Sequence, residues 1–416
     1  MLRVNLTQAR DGMMLALPVR HPRRLDTVLL RAGVELAGVH VKRLGELGVR
    51  DLWIRVPGLE RLAEYVNPGV HEACANMARD LHQGFERVRA DTHTSFEFAV
   101  FRRAVVGVLE RLAASPKAAL LIQESGGADP LLRNASTVCF LSVLMGLKLD
   151  FHLVRERSRL RSDVAMDVTN LGVGAMLHDI GMLSLPPEVA ARWEGTRDES
   201  DPGWREHVTL GFEMVRREVD PAAAAVVLHH HQRFDGTGFP KREKYGGRVE
   251  AVARSDIHVF ARIVAAADLF ERLRYEPGCR EPAPTVAVLR RLIEPACSSW
   301  LDPVVLRALT SVVPPYPPGT QVMLSSGVRG VVTSWTPANP CRPVVEEMRP
   351  EGDRSGAWTT GQSFDLRSEP DLEVVEADGT PVGPFNFYPS GACGATRFDV
   401  GAYSRSIERP PGTSAA

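Results

Sequence analysis

The feature that most constrains the fold is a change in hydrophobic period along the chain. From residue 59 to residue 313, apolar residues recur three and four positions apart, as in MARDLHQGFERVRA, which is typical of amphipathic helices. The pattern stops at PPYPPG, residues 314–319, and the later segments are short, β-branched and separated by Gly, Pro and Asp. The sequence therefore predicts a helical region followed by a β-rich one.

We expect a multidomain α+β protein, since 416 residues correspond to two or three domains at roughly 100–200 residues each. Residues 1–58 predict a small mixed α/β unit, residues 59–124 a helical connector and residues 125–313 a central all-α domain. Residues 314–390 predict a small β-rich domain, and the Ser-, Gly- and Pro-rich residues 391–416 a disordered tail.

The composition limits the classes of function. Lys and Arg total 50 against 51 Asp and Glu, so no global basic or acidic field indicates nucleic acid binding. An apolar content of 44% is ordinary for a globular protein. The six cysteines form no C-x-x-C pair, which favours a reducing compartment. The longest uncharged apolar stretch in the middle is too short to span a bilayer, and the N-terminus lacks a signal-peptide centre. We therefore expect a cytoplasmic protein that binds no membrane.

A histidine followed directly by an aspartate, His178-Asp179, comes at the end of a predicted helix that runs through Met176 and ends near Gly181. Adjacent helical residues point about 100° apart, so both side chains can reach one cavity. A carboxylate has two oxygens and can bridge two metal ions. The pair is a candidate metal site, although isolated pairs of this kind also arise by chance.

Three consecutive histidines, residues 229–231, end an apolar helix and precede the turn DGTG. Imidazoles at a helix end beside a tight turn can converge on a metal ion. The alternative is a solvated helix C-terminus, where imidazolium charge is favourable.

Two further candidates lie on predicted helices. His207 can project inward as a ligand or be an ordinary core histidine. Asp268 lies on the apolar stretch of VFARIVAAADLFERL, where an unpaired carboxylate would be costly to bury. A cation must satisfy it, either a metal ion or a nearby arginine such as Arg262 or Arg272.

The order of these motifs is similar to that of a known family. The series of HD, a histidine on the next helix, HH followed by DG-x-G-[YF]-P, and ARI-x(4)-D-x-F resembles the HD-GYP domain of the HD metal-dependent phosphohydrolase superfamily. The resemblance covers about residues 131–273. It implies an all-helical fold, a centre of two or three metal ions, usually iron or manganese, and hydrolysis of cyclic di-GMP.

The resemblance also implies roles for individual residues. The implied metal ligands are His178, Asp179, His207, His230, His231 and Asp268. Asp179 would bridge the ions, and His207 is a candidate proton donor to the leaving oxygen, so both are expected to be catalytic. The implied substrate contacts are Arg233, Gly238, Phe239 and Pro240. His229 is then an extra residue with a structural role.

The chain departs from the family pattern at four positions. Asn134 stands where the family opens with a histidine, and asparagine is a poor ligand for iron or manganese, so one metal site should be weakened. Met182 replaces a lysine and removes a positive charge where a phosphodiester would lie. Gln232 replaces a glutamate, and Phe239 replaces the tyrosine of the signature but keeps its ring.

We therefore expect a phosphodiesterase that uses two divalent ions to hydrolyse cyclic di-GMP to pGpG or GMP in bacterial second-messenger signalling. One alternative is a degenerate domain that binds metal or nucleotide as a signalling scaffold without hydrolysis. Another is an HD hydrolase of a different phosphate ester. Besides cyclic di-GMP, the candidate partners are signalling proteins and a second copy of the chain.

Overall fold

The computed structural model describes residues 1–90, 98–115, 129–244, 247–277, 281–350, 358–389 and 397–398. Except for residues 397–398, the predicted tail lies outside these residues, as does the predicted connector beyond residue 115. The described residues form an N-terminal α/β unit, a central helical region and a C-terminal sheet. The predicted multidomain α+β fold is confirmed.

The N-terminal unit is a small sheet with one helix. Its elements are β1 (Leu2–Asn5), β2 (Met14–Leu15), β3 (Val19–His21), β4 (Arg24–Leu30), α1 (Gly38–Glu46) and β5 (Asp51–Arg55). β5 lies between β1 and β2 and is antiparallel to both, while β3 and β4 form a separate hairpin. Leu2 and Val4 pair with Ile54 and Leu52, and all four are buried because alternate residues of a strand face one side.

The central region consists of helices around a continuous apolar core. Its first helices are α2 (Pro68–Ala90), α3 (Phe98–Ala114), α4 (Pro130–Lys148), α5 (Asp150–Glu156), α6 (Ser162–Met166), α7 (Thr169–Leu177) and α8 (Pro187–Thr196). They are followed by α9 (Pro202–Arg205), α10 (His207–Val215), α11 (Pro221–His229), α12 (Val259–Arg274), α13 (Thr285–Ile293), α14 (Pro295–Ser298) and α15 (Pro303–Val312). α4 packs against α7, α12, α15 and α2. Because α2 and α3 pack against α4 and α7, the predicted connector shares the core of the helical region.

Aspartate-proline pairs begin several of these helices. Asp201 accepts a hydrogen bond from Gly203 N, and Asp220 accepts one from Ala222 N. In both helices proline occupies the first turn, where its missing N–H costs no hydrogen bond. The predicted helix starts are confirmed at these two sites.

A short hairpin of β6 (Arg242–Lys244) and β7 (Arg248–Glu250) lies between α11 and α12. The sequence pattern did not indicate this hairpin.

Among the described helices, α4 alone is long and apolar enough to span a membrane. Most of its apolar part is buried inside the protein, as in a core helix.

The C-terminal region is a six-stranded sheet with strand order β11-β10-β9-β8-β12-β13. The strands are β8 (Gln321–Leu324), β9 (Arg329–Ser334), β10 (Val344–Pro350), β11 (Trp358–Asp365), β12 (Val374–Ala377) and β13 (Thr380–Pro381), followed by a separate pair, β14 (Tyr388–Pro389) and β15 (Arg397–Phe398). The four strands that the sequence indicated correspond to β8, β9, β10 and β12. The predicted SSG and DGT turns contain Gly327 and Gly379, both at a φ of 83°.

The N-terminal unit and the C-terminal sheet lie in contact. Val331 and Met348 of the C-terminal sheet belong to the apolar core of the N-terminal unit. Gln321 Nε2 donates to Arg3 O at 3.3 Å. Other residues of the same sheet, including Val322 and Leu324, continue the core of the helices. The sheet therefore packs against both of the other regions.

Candidate metal centre

The predicted metal ligands lie at helix ends and on one long helix. His178 and Asp179 follow α7, His207 begins α10, His230 and His231 follow α11, and Asp268 lies within α12. Their ligand atoms form two groups within which all atoms lie inside 4.8 Å of one another. We call Asp179, His207, His230 and His231 the imidazole half of the cluster. We call His178, Asp179 and Asp268 the carboxylate half.

The close approach of α10 to the turn that follows α7, Ile180–Ser184, depends on glycine at position 181. A Cβ at this position would lie 1.9 Å from His207 O and 2.6 Å from Gly211 N. Both atoms belong to the backbone, so they cannot move aside without shifting α10. Glycine here therefore allows His207 to stand beside Asp179.

The backbone orients three of the histidine rings in the same way. Nδ1 lies 2.8 Å from Ala175 O in His178, 2.6 Å from Trp204 O in His207 and 3.0 Å from Val227 O in His230. Because a carbonyl oxygen can only accept, each Nδ1 carries a proton. In the neutral ring the unprotonated Nε2 then faces the cluster, which is the arrangement found in metal-binding histidines.

The fourth histidine, His231, has a buried ring nitrogen without a partner. Its Nε2 makes no hydrogen bond with any described residue. Burial lowers the pKa of His231 well below its usual value and lowers that of His207 to about 4. Both rings are therefore neutral near pH 7, the form that binds a metal ion. An orphaned buried ring nitrogen and a set of imidazole and carboxylate donors fit a divalent ion at this site.

Asp179 belongs to both halves of the cluster. Its Oδ1 lies 3.4 Å from His207 Nε2 and 3.4 Å from His230 Nε2, and its Oδ2 lies 3.4 Å from His178 Nε2. The Asp179 side chain is 16% exposed, whereas those three histidine side chains are fully buried. Solvent or a ligand can therefore reach the cluster at Asp179.

Asp268 meets both of the partners that the sequence left as alternatives. Its Oδ1 lies 3.7 Å from His178 Nε2, and its Oδ2 lies 2.8 Å from Arg272 Nε. Arg262 pairs instead with Asp302 at 2.5 Å. Burial raises the pKa of Asp268, but Arg272 and His178 outweigh it and lower this pKa to about 2. Asp268 is thus ionised.

His178 also responds to the carboxylates. Burial lowers the pKa of His178, but the charges of Asp179 and Asp268 outweigh it and raise this pKa to about 10. The carboxylate half therefore holds a proton when no other cation is bound.

Asn134, on α4, lies within the carboxylate half, at the position that the motif alignment gave to the missing histidine. Its Nδ2 is 3.1 Å from Asp179 Oδ2, 3.4 Å from Asp268 Oδ1 and 3.2 Å from His178 Nε2. Its Oδ1 is buried and has no hydrogen-bond partner among the residues that the structure describes. The amide thus points its nitrogen, not its oxygen, at the carboxylates.

The predicted substrate residue Arg233 has partners within the protein. Its Nη2 donates to Glu199 Oε2 at 2.9 Å, and its guanidinium lies 3.7 Å from the centre of the Trp300 ring. Glu199 Oε1 in turn accepts from Arg272 Nη1 at 2.5 Å. A substrate role for Arg233 stays a prediction, and its observed contacts connect it to the carboxylate half.

The residues of the glycine-phenylalanine-proline segment shape the loop that carries His231. A Cβ at Gly238 would lie 2.4 Å from His231 O, so this turn requires glycine. The Phe239 ring stacks on the His231 ring with centroids 4.8 Å apart. Pro240, which follows a cis peptide bond, accepts a hydrogen bond from Gln232 Nε2 at 2.5 Å. Their observed contacts hold His231 in place, and contact with a substrate stays a prediction.

An aromatic wall beside the imidazole half was not predicted. The rings of Trp193 and Trp204 stack with centroids 3.8 Å apart, and Trp204 lies 4.8 Å from His207 and 4.9 Å from His231. Met182 packs in the same apolar cluster, so the residue that replaces the family lysine points into this wall. The sequence signal that could have indicated this wall is that two of the six tryptophans of the chain lie between the HD pair and His207.

Two further histidines are not members of either ligand group. His229 precedes the pair at the end of α11, and burial lowers its pKa to about 4. His152 Nε2 lies 4.0 Å from Asp302 Oδ2. His229 thus keeps its predicted place outside the ligand set, and His152 does not take the place of the missing histidine.

Comparison with known proteins agrees with this geometry. A family model described as an HD domain matches residues 149–305. The cyclic di-GMP phosphodiesterase PA4108 of Pseudomonas aeruginosa is 31% identical over 167 residues, which are 40% of this chain and 38% of that protein. A cyclic di-GMP phosphodiesterase of Thermotoga maritima is 28% identical over 144 residues, 34% of this chain and 36% of that protein. The chain thus spans less than two-fifths of the length of either relative.

A solved structure gives a looser match. Bd1817, a HDG"Y"P protein from Bdellovibrio bacteriovorus, is 15% identical, with a TM-score of 0.41 over 74% of this chain and 97% of its own. The family model and the relatives therefore show an HD domain at residues 149–305, and these two relatives that align with the chain are cyclic di-GMP phosphodiesterases.

Proposed function

We propose that this protein is a metal-dependent phosphodiesterase that hydrolyses cyclic di-GMP to pGpG or GMP in bacterial second-messenger signalling. The observation that carries the proposal is Asp179, whose two carboxylate oxygens face different sets of ligand atoms. A partly exposed carboxylate between two such sets suits a pair of ions that act on one phosphodiester. The activities of the two relatives support the choice of substrate.

The six clustered residues would hold iron or manganese. Such ions neutralise charge on the phosphate and lower the pKa of water, so that hydroxide is available near neutral pH. Asp179 is the most exposed of the five paired ligands, so the phosphate is expected to approach on its side. Trp204 packs against the rings of His207 and His231, and Trp193 stacks on Trp204.

His207 acts as a ligand in this proposal, not as the proton donor. Its Nδ1 proton goes to Trp204 O, and its Nε2 faces Asp179. Since burial lowers its pKa to about 4, the ring has no second proton to give near pH 7. The leaving oxygen must then take its proton from another group or from water.

Arg197 is our candidate for the phosphate contact that Met182 cannot make. It lies at the end of α8, with its guanidinium 5.2 Å from the centre of the Trp193 ring. Its Nε is buried without a hydrogen-bond partner among the described residues. Burial lowers the pKa of Arg197, and Asp179 and Asp268 are among the charges that act on it. A guanidinium with a free donor beside the cluster can bind a phosphate oxygen.

The direct test is turnover of cyclic di-GMP by the purified chain with its bound metal quantified. We expect conversion to pGpG or GMP, and none by Asp179→Ala. Arg197→Ala should raise KM about tenfold or more, the effect of losing one hydrogen bond to a charged group. Arg192→Ala, on the same helix but exposed and paired with Asp201, is the matched control. Turnover equal to that of Asp179→Ala in fully loaded protein would overturn the proposal.

A second candidate function is a signalling scaffold that binds metal or nucleotide without hydrolysis. It is favoured by Asn134, whose amide nitrogen lies among the ligand atoms of the carboxylate half, and by Met182, which is partly buried against the aromatic wall. Binding of cyclic di-GMP without turnover would support it. Hydrolysis of bis(p-nitrophenyl) phosphate but not of cyclic di-GMP would instead indicate another phosphate ester as the substrate.

A further inference from the structure

We propose that the two halves of the cluster bind metal with unequal affinity, because side chains of the protein close the carboxylate half. The imidazole half is open to an ion, whereas Asn134 and Arg272 occupy donor positions on the carboxylate half. An ion must displace or repel them to bind there. The inference rests on the proposed metal dependence and concerns the order in which the site fills.

The first closing group is the Asn134 amide. Its Nδ2 lies within 3.4 Å of one ligand atom from each of the three residues of the carboxylate half. A cation bound by the same three atoms would occupy the same place. Without an ion, the N–H groups of the Asn134 amide donate to Asp179 and Asp268. An ion that binds there therefore has to displace these hydrogen bonds.

The second closing group is the guanidinium of Arg272. Its Nε lies 2.8 Å from Asp268 Oδ2, one turn away on α12. A fixed positive charge on a ligand oxygen both neutralises that carboxylate and repels a second cation.

Arg272 has partners of its own, so it is not a side chain that merely fills an empty site. Glu199 accepts from Arg272 through Oε1 and from Arg233 through Oε2. Arg233 is in turn packed on Trp300. This chain of contacts holds the Arg272 guanidinium in its position beside Asp268.

The imidazole half differs in both respects. Asp179 turns Oδ1 to His207 and His230 and Oδ2 to Asn134. His231 Nε2 has no hydrogen-bond partner among the described residues. An ion entering this half therefore gains ligands without breaking a contact to an amide or a guanidinium.

The test is the number of manganese ions bound by the full chain. Chelator-treated protein is dialysed against increasing free Mn²⁺, the metal is quantified, and electron paramagnetic resonance distinguishes isolated from coupled ions. We expect the first ion to bind wild-type protein at least about tenfold more tightly than the second, as removing a supporting contact typically changes metal affinity 10–100-fold. After desalting, wild-type protein should retain one isolated ion.

Two variants should restore the second ion. Arg272→Met removes the guanidinium, and Asn134→His replaces the amide by an imidazole ligand, so both should retain nearer two ions with a coupled spectrum. Arg274→Met, which removes a positive charge from the same helix but pairs with Glu271, is the control and should retain one.

Equal affinity of wild-type protein for two ions, or no gain in folded variants, would overturn the inference while leaving the proposed phosphodiesterase intact. A failure of wild-type protein to bind any metal would overturn the proposed function itself.

Discussion

The two halves of the cluster share Asp179 but are prepared for metal in different ways. In the imidazole half, backbone carbonyls fix His207 and His230, and burial keeps His207 and His231 neutral. In the carboxylate half, two ionised aspartates need positive charge whether or not an ion is present. The protein supplies it from His178 and Arg272. Neutral buried ligands therefore need no counter-charge when the ion is absent. Buried charged ligands do need one, and here side chains of the protein provide it.

The largest expected difference between the two halves should follow from removing one ligand from each of them. His230→Ala should weaken binding of the ion in the imidazole half, and the affinity of this half for Mn²⁺ should fall by on the order of 100-fold. Asp268→Asn should leave that ion in place, since Asp268 belongs only to the other half. Metal content after desalting measures both, and circular dichroism checks that each variant is folded. Equal loss from the two variants would mean that the halves do not act separately.

A smaller effect is expected from the ring that supports His231. Phe239→Ala removes the stacked ring and frees the His231 imidazole to rotate, so metal affinity of the imidazole half should fall about tenfold. Phe239→Tyr keeps the ring and is the control. Equilibrium dialysis against Mn²⁺ distinguishes them. If Phe239→Ala bound the ion as tightly as wild-type protein, His231 would not need this support.

The last effect, on stability and not on metal binding, concerns a partly buried histidine outside the cluster. Burial lowers the pKa of His258 to about 4, and its Nδ1 accepts the Phe260 N–H at the start of α12. In the unfolded chain the ring titrates near 6.5, so between about pH 6.5 and 4 the unfolded state binds a proton that the folded state does not. The free energy of unfolding should therefore fall as pH falls through this interval, by about 2 kcal/mol between pH 7 and pH 5 for this residue.

The check is urea unfolding of metal-free protein at pH 7 and pH 5. His258→Asn keeps a capping oxygen and removes the titration, so the difference between the two pH values should narrow. An unchanged difference would assign the acid sensitivity to other buried histidines, such as His207 and His229. The result thus separates the contribution of His258 from that of the other buried imidazoles.

Much of the fold was predictable because local rules decided it. Asp201 and Asp220 cap their helices, and Gly327 and Gly379 take the left-handed conformation in predicted turns. β11 was not predicted because apolar and polar residues alternate only weakly in its sequence, WTTGQSFD. In the structure β11 pairs with β10 at the edge of the sheet. The contact between the N-terminal unit and the last sheet was also missed, since no local pattern reports a hydrogen bond from Gln321 to Arg3.

The site was predictable in its ligand types but not in its balance of charge. The motifs named the histidines and aspartates, and the motif spacing put Asn134 beside them. They could not choose between Arg262 and Arg272 as the partner of Asp268. Packing decided it, because Arg262 is taken up by Asp302 while Arg272 points along α12 to Asp268.

The sequence by itself determined which donor atoms stand at the helix ends, because hydrophobic period, capping residues and glycines act over a few residues. Only the tertiary structure decided that an amide from α4 and a guanidinium from α12 would meet the same carboxylates. Asn134 and Asp268 are far apart in the chain, and their contact depends on how α4 packs on α7 and α12. Contacts of that range are set by the shape of the whole core, which no short pattern encodes.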